Sequence, residues 1–123
     1  MKIWIDDIRQ VPNGYVWCHS TNQAIMLLEA NRAANKHNAA AFARELSLRA
    51  VNITPDELLT NVELVDIDHD AGIFEQDGGD YIRVLDFMEA NEMAYPVRIH
   101  SMNPVGVQKM RAIIEHNGWR EIK

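Results

Sequence analysis

Short apolar runs that stop at polar residues set the pattern of this chain. The run Ile3-Trp4-Ile5 leads straight into the acid pair Asp6-Asp7. Such runs, rich in β-branched and aromatic side chains and only a few residues long, are typical of buried strands. The pattern predicts five strands, at about 2–6, 15–18, 62–68, 97–100 and 119–122.

Helical spacing fills most of the sequence between these runs. Ser20 or Thr21 can cap a helix that extends to about Arg32, and the stretch from 33 to 50 either prolongs it or forms a second helix. A capping box then introduces a short helix at Pro55. Two further helices are predicted, one with Ile82, Leu85, Phe87 and Met88 on its buried side and one from about Pro104 to His116.

Alternating strands and helices predict an α/β domain with a parallel sheet. We expect one domain over 1–123, built as a three-layer, doubly wound, five-stranded sheet of flavodoxin-like order 2-1-3-4-5. A helical insertion at about 33–60 separates the second strand from the third. The link from 7 to 14 is short for a parallel crossover, so the first helix of such a fold is reduced to a loop or a single turn.

Composition narrows the possible partners. The 123 residues include 18 acidic and 12 basic side chains, a net charge of -6, which argues against coating a long nucleic acid. A small phosphorylated ligand remains possible, because a cation can bridge its phosphate to acidic residues. The single Cys18 permits no internal disulfide, and no long apolar stretch is present, so we expect a cytoplasmic protein without a membrane span.

Acidic residues collect where parallel strands end, which predicts a metal site. Carboxyl ends of parallel strands share one edge of the sheet, and Mg²⁺ prefers carboxylate oxygens and waters. We expect Asp7 and Asp68 to be ligands, Asp6 to act directly or through water, and Asp70 to add its backbone carbonyl. Nearby imidazoles also permit Mn²⁺ or Zn²⁺, but the oxygen-rich set favours Mg²⁺ or Mn²⁺.

Polar residues at the same strand ends predict phosphate chemistry. His100 is the expected general acid or base, with His69 as a second catalytic residue. Arg9, Ser101 and Asn103 would donate hydrogen bonds to phosphate oxygens, and Asp68 could instead act as a nucleophile. Structural alternatives stay open: the acid pair could simply end a strand, and Asn103 could simply cap the following helix.

Three separated segments resemble the cyclic-phosphate processing receiver domain family. They are Trp4-Ile5-Asp6-Asp7-Ile8-Arg9, Ile67-Asp68-His69-Asp70-Ala71-Gly72 and His100-Ser101-Met102-Asn103-Pro104-Val105-Gly106. That family is similar to response-regulator receivers, whose acid pair and central aspartate bind Mg²⁺ and take up phosphate. The resemblance implies that Asp6 and Asp7 match the acid pair, Asp68 the phosphoacceptor and Ser101 the small hydroxyl residue.

The resemblance also implies an activity on cyclic phosphates of nucleotides or RNA ends. It covers about three quarters of the chain, because the stretch from about 33 to 59 lies outside it as an insertion that forms a lid, a dimer surface or an extension of the scaffold. The chain departs from a true receiver by lacking a clear match to the late lysine, apart from Lys123. It also carries Ala71 where the family usually has a larger apolar residue.

Three functions are therefore in competition. The leading hypothesis is a metal-dependent hydrolase that opens a cyclic phosphate on a nucleotide or RNA end, with a phosphorylated small molecule or RNA end as partner and a possible homodimer. The second is a receiver-like signalling module phosphorylated on Asp68. The third is a module that binds a cyclic nucleotide without catalysis.

Overall fold

A computed structural model describes all 123 residues of the chain. The strands are β1 (Lys2–Ile5), β2 (Tyr15–Cys18), β3 (Leu64–Ile67) and β4 (Val97–Ile99). The helices are α1 (Thr21–Ala33), α2 (Ala39–Leu48), α3 (Pro55–Leu58), α4 (Ile82–Ala90) and α5 (Pro104–Asn117), and a 3₁₀ helix covers Gly72–Gln76.

The four strands form one parallel sheet in the order β2-β1-β3-β4. β1 and β3 are therefore neighbours, and Ile5 is in register with Ile67. The acids that follow these two strands leave the sheet side by side at its carboxyl edge. This part of the predicted strand order is confirmed.

The prediction of a fifth strand at 119–122 is wrong, because this segment does not form a full strand. Only one parallel bridge forms there, between Val97 and Glu121, with hydrogen bonds from the Val97 N–H to the Arg120 carbonyl and from the Ile122 N–H to the Val97 carbonyl. Gly118 ends α5 in the left-handed conformation at φ 67°, and the backbone that follows pairs with β4 only at this bridge.

All the helices lie in one layer against one face of the sheet. Alternate strand residues, among them Ile3, Ile5, Val65 and Ile67, are fully buried there and belong to a single core of 22 buried residues. The helices supply the other half of this core, with Ala24, Leu27 and Leu28 from α1, Leu46 from α2, Leu58 from α3, Val84, Leu85 and Met88 from α4, and Met110 and Ile114 from α5.

The expected three-layer, doubly wound arrangement is therefore not what this chain forms. The crossovers from β2 to β3 and from β3 to β4 advance in the same direction across the sheet, and right-handed crossovers that advance together place their helices on the same face. Only the link from β1 to β2 runs the other way, and it consists of bends and a turn at Asn13-Gly14. The opposite face carries no helix, and the fold has two layers.

Local helix signals agree with the structure. Ser20 caps α1 in a capping box with Gln23, and Thr54 caps α3 in a second one with Glu57. The stretch from 33 to 50 contains a separate helix, α2, so the alternative of one prolonged helix is excluded. None of the helices has both the length and the apolar character that crossing a membrane requires.

Candidate functional site

His100 is held between two buried carboxylates at the carboxyl edge of the sheet. Its Nε2 lies 2.8 Å from Asp6 Oδ2 and its Nδ1 lies 2.7 Å from Asp66 Oδ1. Both acids are fully buried, and the His100 side chain is only 9% exposed. Each ring nitrogen of His100 thus has a carboxylate oxygen within hydrogen-bond distance. These two contacts fix the imidazole between the ends of β1 and β4 and the strand β3.

Aromatic residues complete the surroundings of this imidazole. The ring of Trp4 stacks on His100 with centroids 3.9 Å apart and an angle of 2° between the planes. Tyr15 donates a hydrogen bond to Asp66 Oδ2 at 3.1 Å, and an Arg98 nitrogen lies 3.8 Å from the same oxygen. The packing fixes the orientation of His100, while Tyr15 and Arg98 offset the cost of burying Asp66.

Asp6 is positioned mainly by the backbone that follows it. Burial alone would raise the pKa of Asp6, but hydrogen bonds from the Arg9 and Ile8 N–H groups, with a further bond from His100, lower it below its ordinary value. Trp17 fixes the same residue by donating its indole N–H to the Asp6 carbonyl at 2.8 Å. Asp6 therefore remains ionised and preorganised to hold a cation.

Three carboxylates converge beside His100. Ligand atoms of Asp6, Asp68 and His100 all lie within 4.8 Å of one another. Asp6 and Asp68 could therefore hold one metal ion beside His100, whose own ring nitrogens are hydrogen-bonded to Asp6 and Asp66. Burial and the negative charges of Asp6 and Asp68 raise the pKa of Asp7. The Asp7 carboxylate therefore lies close enough to the other two to be repelled by them. A Cβ on Gly72 would lie 2.2 Å from Asp7 Oδ2, which explains why a glycine at φ 56° occupies that position.

A second group of polar side chains surrounds His69. Its Nδ1 lies 2.8 Å from Asp70 Oδ1, and a ligand atom of Asp80 falls in the same cluster. The hydrogen bond from His69, with help from Asn103, lowers the pKa of Asp70. The Asp70 carboxylate thus faces His69 and not Asp6 and Asp68. The expected metal ligand was the Asp70 backbone carbonyl, and that expectation stays a prediction.

The residues expected to bind phosphate are all at this edge, but each has another contact. Arg9 donates from its guanidinium to the His100 carbonyl and is 43% exposed. Ser101 Oγ accepts the Asn103 N–H at 3.1 Å, which leaves the hydroxyl hydrogen free to donate. Asn103 caps α5 by accepting the Gly106 N–H and also donates to Asp70 at 3.3 Å, so its structural role as a cap is real.

Comparison with known families identifies the family to which this chain belongs. The model of the cyclic-phosphate processing receiver domain matches residues 1–116. The chain belongs to the cyclic-phosphate processing receiver domain family. No curated protein and no solved structure gave a match to this chain.

Membership of the cyclic-phosphate processing receiver domain family covers more of the chain than the three segments suggested. The match runs through the stretch from 33 to 59, which lies outside the three resembling segments. α2 and α3 occupy that stretch, and they pack against each other and, through α2, against α1.

Two residues of the site were not among those expected from the sequence. Asp66 lies in β3 between Val65 and Ile67, where a lone acid in a buried strand was the available signal. Strand alternation places it on the same face as Trp4 and Arg98, with which it is in register. No pattern in the sequence pointed to Asp80. The turn that precedes α4 brings it to the carboxyl edge of the sheet, where its carboxylate accepts a hydrogen bond from the Ala71 N–H.

Proposed function

We propose that this chain is a metal-dependent phosphoesterase that opens a cyclic phosphate on a nucleotide or an RNA end. The observation that carries the proposal is the convergence of Asp6, Asp68 and His100 within 4.8 Å at the carboxyl edge of the sheet. In parallel α/β sheets this edge is where ligands bind. Membership of a family described as processing cyclic phosphates supports the same class of substrate.

The donor set suits a hard divalent cation, Mg²⁺ or Mn²⁺. Asp6, Asp7 and Asp68 offer oxygen ligands, and the raised pKa of Asp7 reflects burial and like-charge repulsion that a cation would relieve. When bound, such an ion neutralises charge on the non-bridging phosphate oxygens and acidifies bound water. Asp70 would contribute its backbone carbonyl, because its carboxylate is committed to His69.

His69 is the residue best arranged to accept a proton. Asp70 holds its Nδ1, and the side chain packs against Gly106, where a Cβ would lie 2.4 Å from the ring. The Nε2 of His69 has no hydrogen-bond partner, whereas every buried side-chain nitrogen and oxygen in the structure has one. This Nε2 is therefore exposed to solvent. An acid that orients an imidazole and leaves its far nitrogen free is a common general-base arrangement.

His100 serves as the proton donor in this proposal. Its Nε2 hydrogen, shared with Asp6, would pass to the leaving oxygen of the opened ring, and Asp66 would keep the imidazole in place. The free hydroxyl hydrogen of Ser101 and the exposed guanidinium of Arg9 would bind the non-bridging phosphate oxygens.

The test is product analysis on 2′,3′-cyclic mononucleotides, cyclic dinucleotides and RNA with a 2′,3′-cyclic end, with Mg²⁺, Mn²⁺ or a chelator. We expect turnover to need the ion and to be lost in Asp68→Ala. His69→Gln and His100→Gln should lower it by about 10²- to 10⁴-fold, the usual contribution of acid or base catalysis. Matched controls are Asp86→Ala and His116→Ala, which change exposed residues on α4 and α5.

Other outcomes would overturn the proposal. Incorporation of phosphate on Asp68 from acetyl phosphate, without turnover of any cyclic substrate, would support the signalling function. Stable retention of a cyclic nucleotide, with no product after long incubation, would support the binding module. Both outcomes are read in the same samples, by intact-mass measurement and by chromatography of the nucleotide.

A further inference from the structure

The helix-free face of the sheet has an unusual surface for an α/β domain. Strand alternation puts Tyr15 and Trp17 of β2 on this face, in register with Lys2 and Trp4 of β1. Arg98 of β4 lies on it as well, in register with Asp66. The helix-free face, defined by these residues, therefore combines aromatic rings with cationic side chains.

The outer layer of this face is partly open to solvent. Lys2 is exposed, the Arg98 side chain is 50% exposed, and Tyr15 and Trp17 are half-buried. Trp4 lies below them at 8% exposure and outside the main core. Trp4 thus supports the outer rings from below. Tyr15 and Trp17 keep part of their surface exposed to solvent, and the other side of the Trp17 ring stacks on His19 with centroids 4.2 Å apart.

The charge of the face is opposite to that of the chain. Its exposed charges are the cations of Lys2 and Arg98, whereas Asp66 is fully buried and bonded to His100 and Tyr15. The Lys2 ammonium also lies 5.7 Å from the centre of the Tyr15 ring. In a chain of net charge -6, these cations form a local surface suited to an anion.

This chemistry favours one occupant over the alternatives. A second copy of the chain would bring the same cations against each other, and an amphipathic helix would need an apolar stripe that charged residues interrupt here. A single-stranded nucleic acid supplies phosphates for the cations and bases for the rings. Four-stranded sheets of RNA-binding domains stack two or three bases on such a face.

The face is continuous with the site already described. His100 and Asp6 follow β4 and β1 at the carboxyl edge, and Trp4 contacts both the face, through Tyr15, and the site, through His100. A strand lying across the sheet would therefore bring its end to the acidic cluster. Only a ribose with its 2′-hydroxyl can form a 2′,3′-cyclic end, which specifies RNA.

We propose that the helix-free face binds the last nucleotides of a single-stranded RNA whose 3′ end enters the acidic site. The inference deepens the proposed function and depends on it for the identity of the reacting end. It requires only a short track of a few nucleotides, which is consistent with an acidic chain that does not coat long nucleic acids.

Binding can be measured apart from catalysis. The probe is a fluorescein-labelled RNA octamer with a linear 3′-phosphate, followed by anisotropy in chelator at several salt concentrations. Trp17→Leu should weaken binding by about fivefold or more, since loss of one stacked base contact typically costs about 1–3 kcal/mol. Trp17→Phe keeps a ring at that position and should retain most of the affinity.

The cations are tested by the salt dependence. Lys2→Ala and Arg98→Ala should each lower the slope of log K against log salt by about 0.7, the value for one phosphate contact on a single strand. Arg44→Ala and Lys109→Ala are the matched controls, because they remove exposed cations from α2 and α5 in the helical layer. Thermal unfolding of every variant verifies that the fold is retained.

Several results would overturn the inference. They are the absence of saturable binding, equal affinity in Trp17→Leu and Trp17→Phe, or a dimer in sedimentation that Arg98→Ala dissociates. The proposed function fails separately: RNA bound through this face with no turnover of any cyclic substrate would refute the enzyme and leave the binding face standing. Turnover of cyclic mononucleotides without RNA binding would do the reverse.

Discussion

Asp7 shows how a residue of the proposed metal site can cost stability. Burial and the charges of Asp6 and Asp68 raise the pKa of its carboxyl, so at neutral pH the folded chain holds an unfavourable negative charge there. None of the salt bridges in the structure includes Asp7. An unfavourable charge of this kind is expected of a ligand of the proposed metal site.

Asp7→Asn should therefore stabilise the metal-free chain. We expect the free energy of unfolding in chelator to rise by about 0.5 kcal/mol, a small value because the site is partly screened by solvent. The same variant should lose most of the stabilisation that Mn²⁺ gives the native chain. Urea titrations with and without Mn²⁺ measure both effects. A fall in stability in chelator would contradict the repulsion argument.

Gly106 is the residue that makes room for His69. A Cβ at this position would lie 2.4 Å from Cγ of the imidazole, although alanine is the better residue inside a helix by about 1 kcal/mol. The glycine in α5 is thus explained by a neighbour from another segment and not by the helix itself.

Gly106→Ala should destabilise the native chain by about 1–3 kcal/mol through overpacking. In a His69→Ala background, where the ring is absent, the same change should be neutral or stabilising. The measurement is a double-mutant cycle of unfolding free energies. Additive effects of the two substitutions would show that the ring does not occupy the space beside Gly106.

At the scale of elements, the segment after β3 is fastened to the start of α1. Asp77 accepts hydrogen bonds from the Ser20 hydroxyl at 2.6 Å and from the Asn22 amide at 3.0 Å, and the Asn22 N–H donates to its carbonyl. These bonds fix the far end of the 3₁₀ helix, whose near end lies against Asp7 at Gly72. α1 therefore helps to shape the site without contributing a side chain to it.

The contribution of these Asp77 hydrogen bonds to stability should be lost at low pH. The hydrogen bonds from Ser20, then from Asn22, lower the pKa of Asp77, so its contribution is complete above the ordinary aspartate pKa of about 3.9 and is lost as the pH falls through the lower folded value. Asp77→Asn should lower the melting temperature at pH 6. That deficit should shrink as the pH approaches 3. Asp86→Asn, an exposed acid on α4, is the control and should show no such convergence.

At the scale of the whole molecule, one polar network links all four strands. It runs from Asp6 after β1 through His100 after β4 to Asp66 in β3 and Tyr15 in β2. The network lies on the face without helices, where the apolar core cannot hold the strands together. Its hydrogen bonds take over part of that role and fix His100 at the same time.

Asp66→Asn should test that network. Hydrogen bonds to charged groups contribute about 1.5–3 kcal/mol, so a loss of about 2 kcal/mol is expected because His100 Nδ1 would then face a neutral amide in place of a carboxylate. Tyr15→Phe removes a single neutral donor and should cost only about 1 kcal/mol. Urea denaturation measures both variants. Equal losses would indicate that Asp66 is stabilised by packing and not by His100.

The local elements and the residue types at the sheet edge could be predicted from the amino-acid sequence. Strand and helix positions follow from apolar periodicity and from caps such as Ser20 and Thr54, which are interactions between residues close in the chain. The order β2-β1-β3-β4 was also predictable, because parallel pairing and crossover handedness leave few alternatives. The same rules predict that Asp6, Asp68 and His100 lie at one edge of the sheet.

Which polar atoms contact each other could not be predicted without the three-dimensional fold. The pairing of His100 with Asp66, the separation of Asp70 from Asp68 and the close fit of His69 against Gly106 depend on contacts between distant segments. The same holds for the missing strand and the helix-free face, since the number of layers depends on which connections contain a helix. Local propensity carries no information about such contacts, because their partners are chosen by packing across the whole sheet.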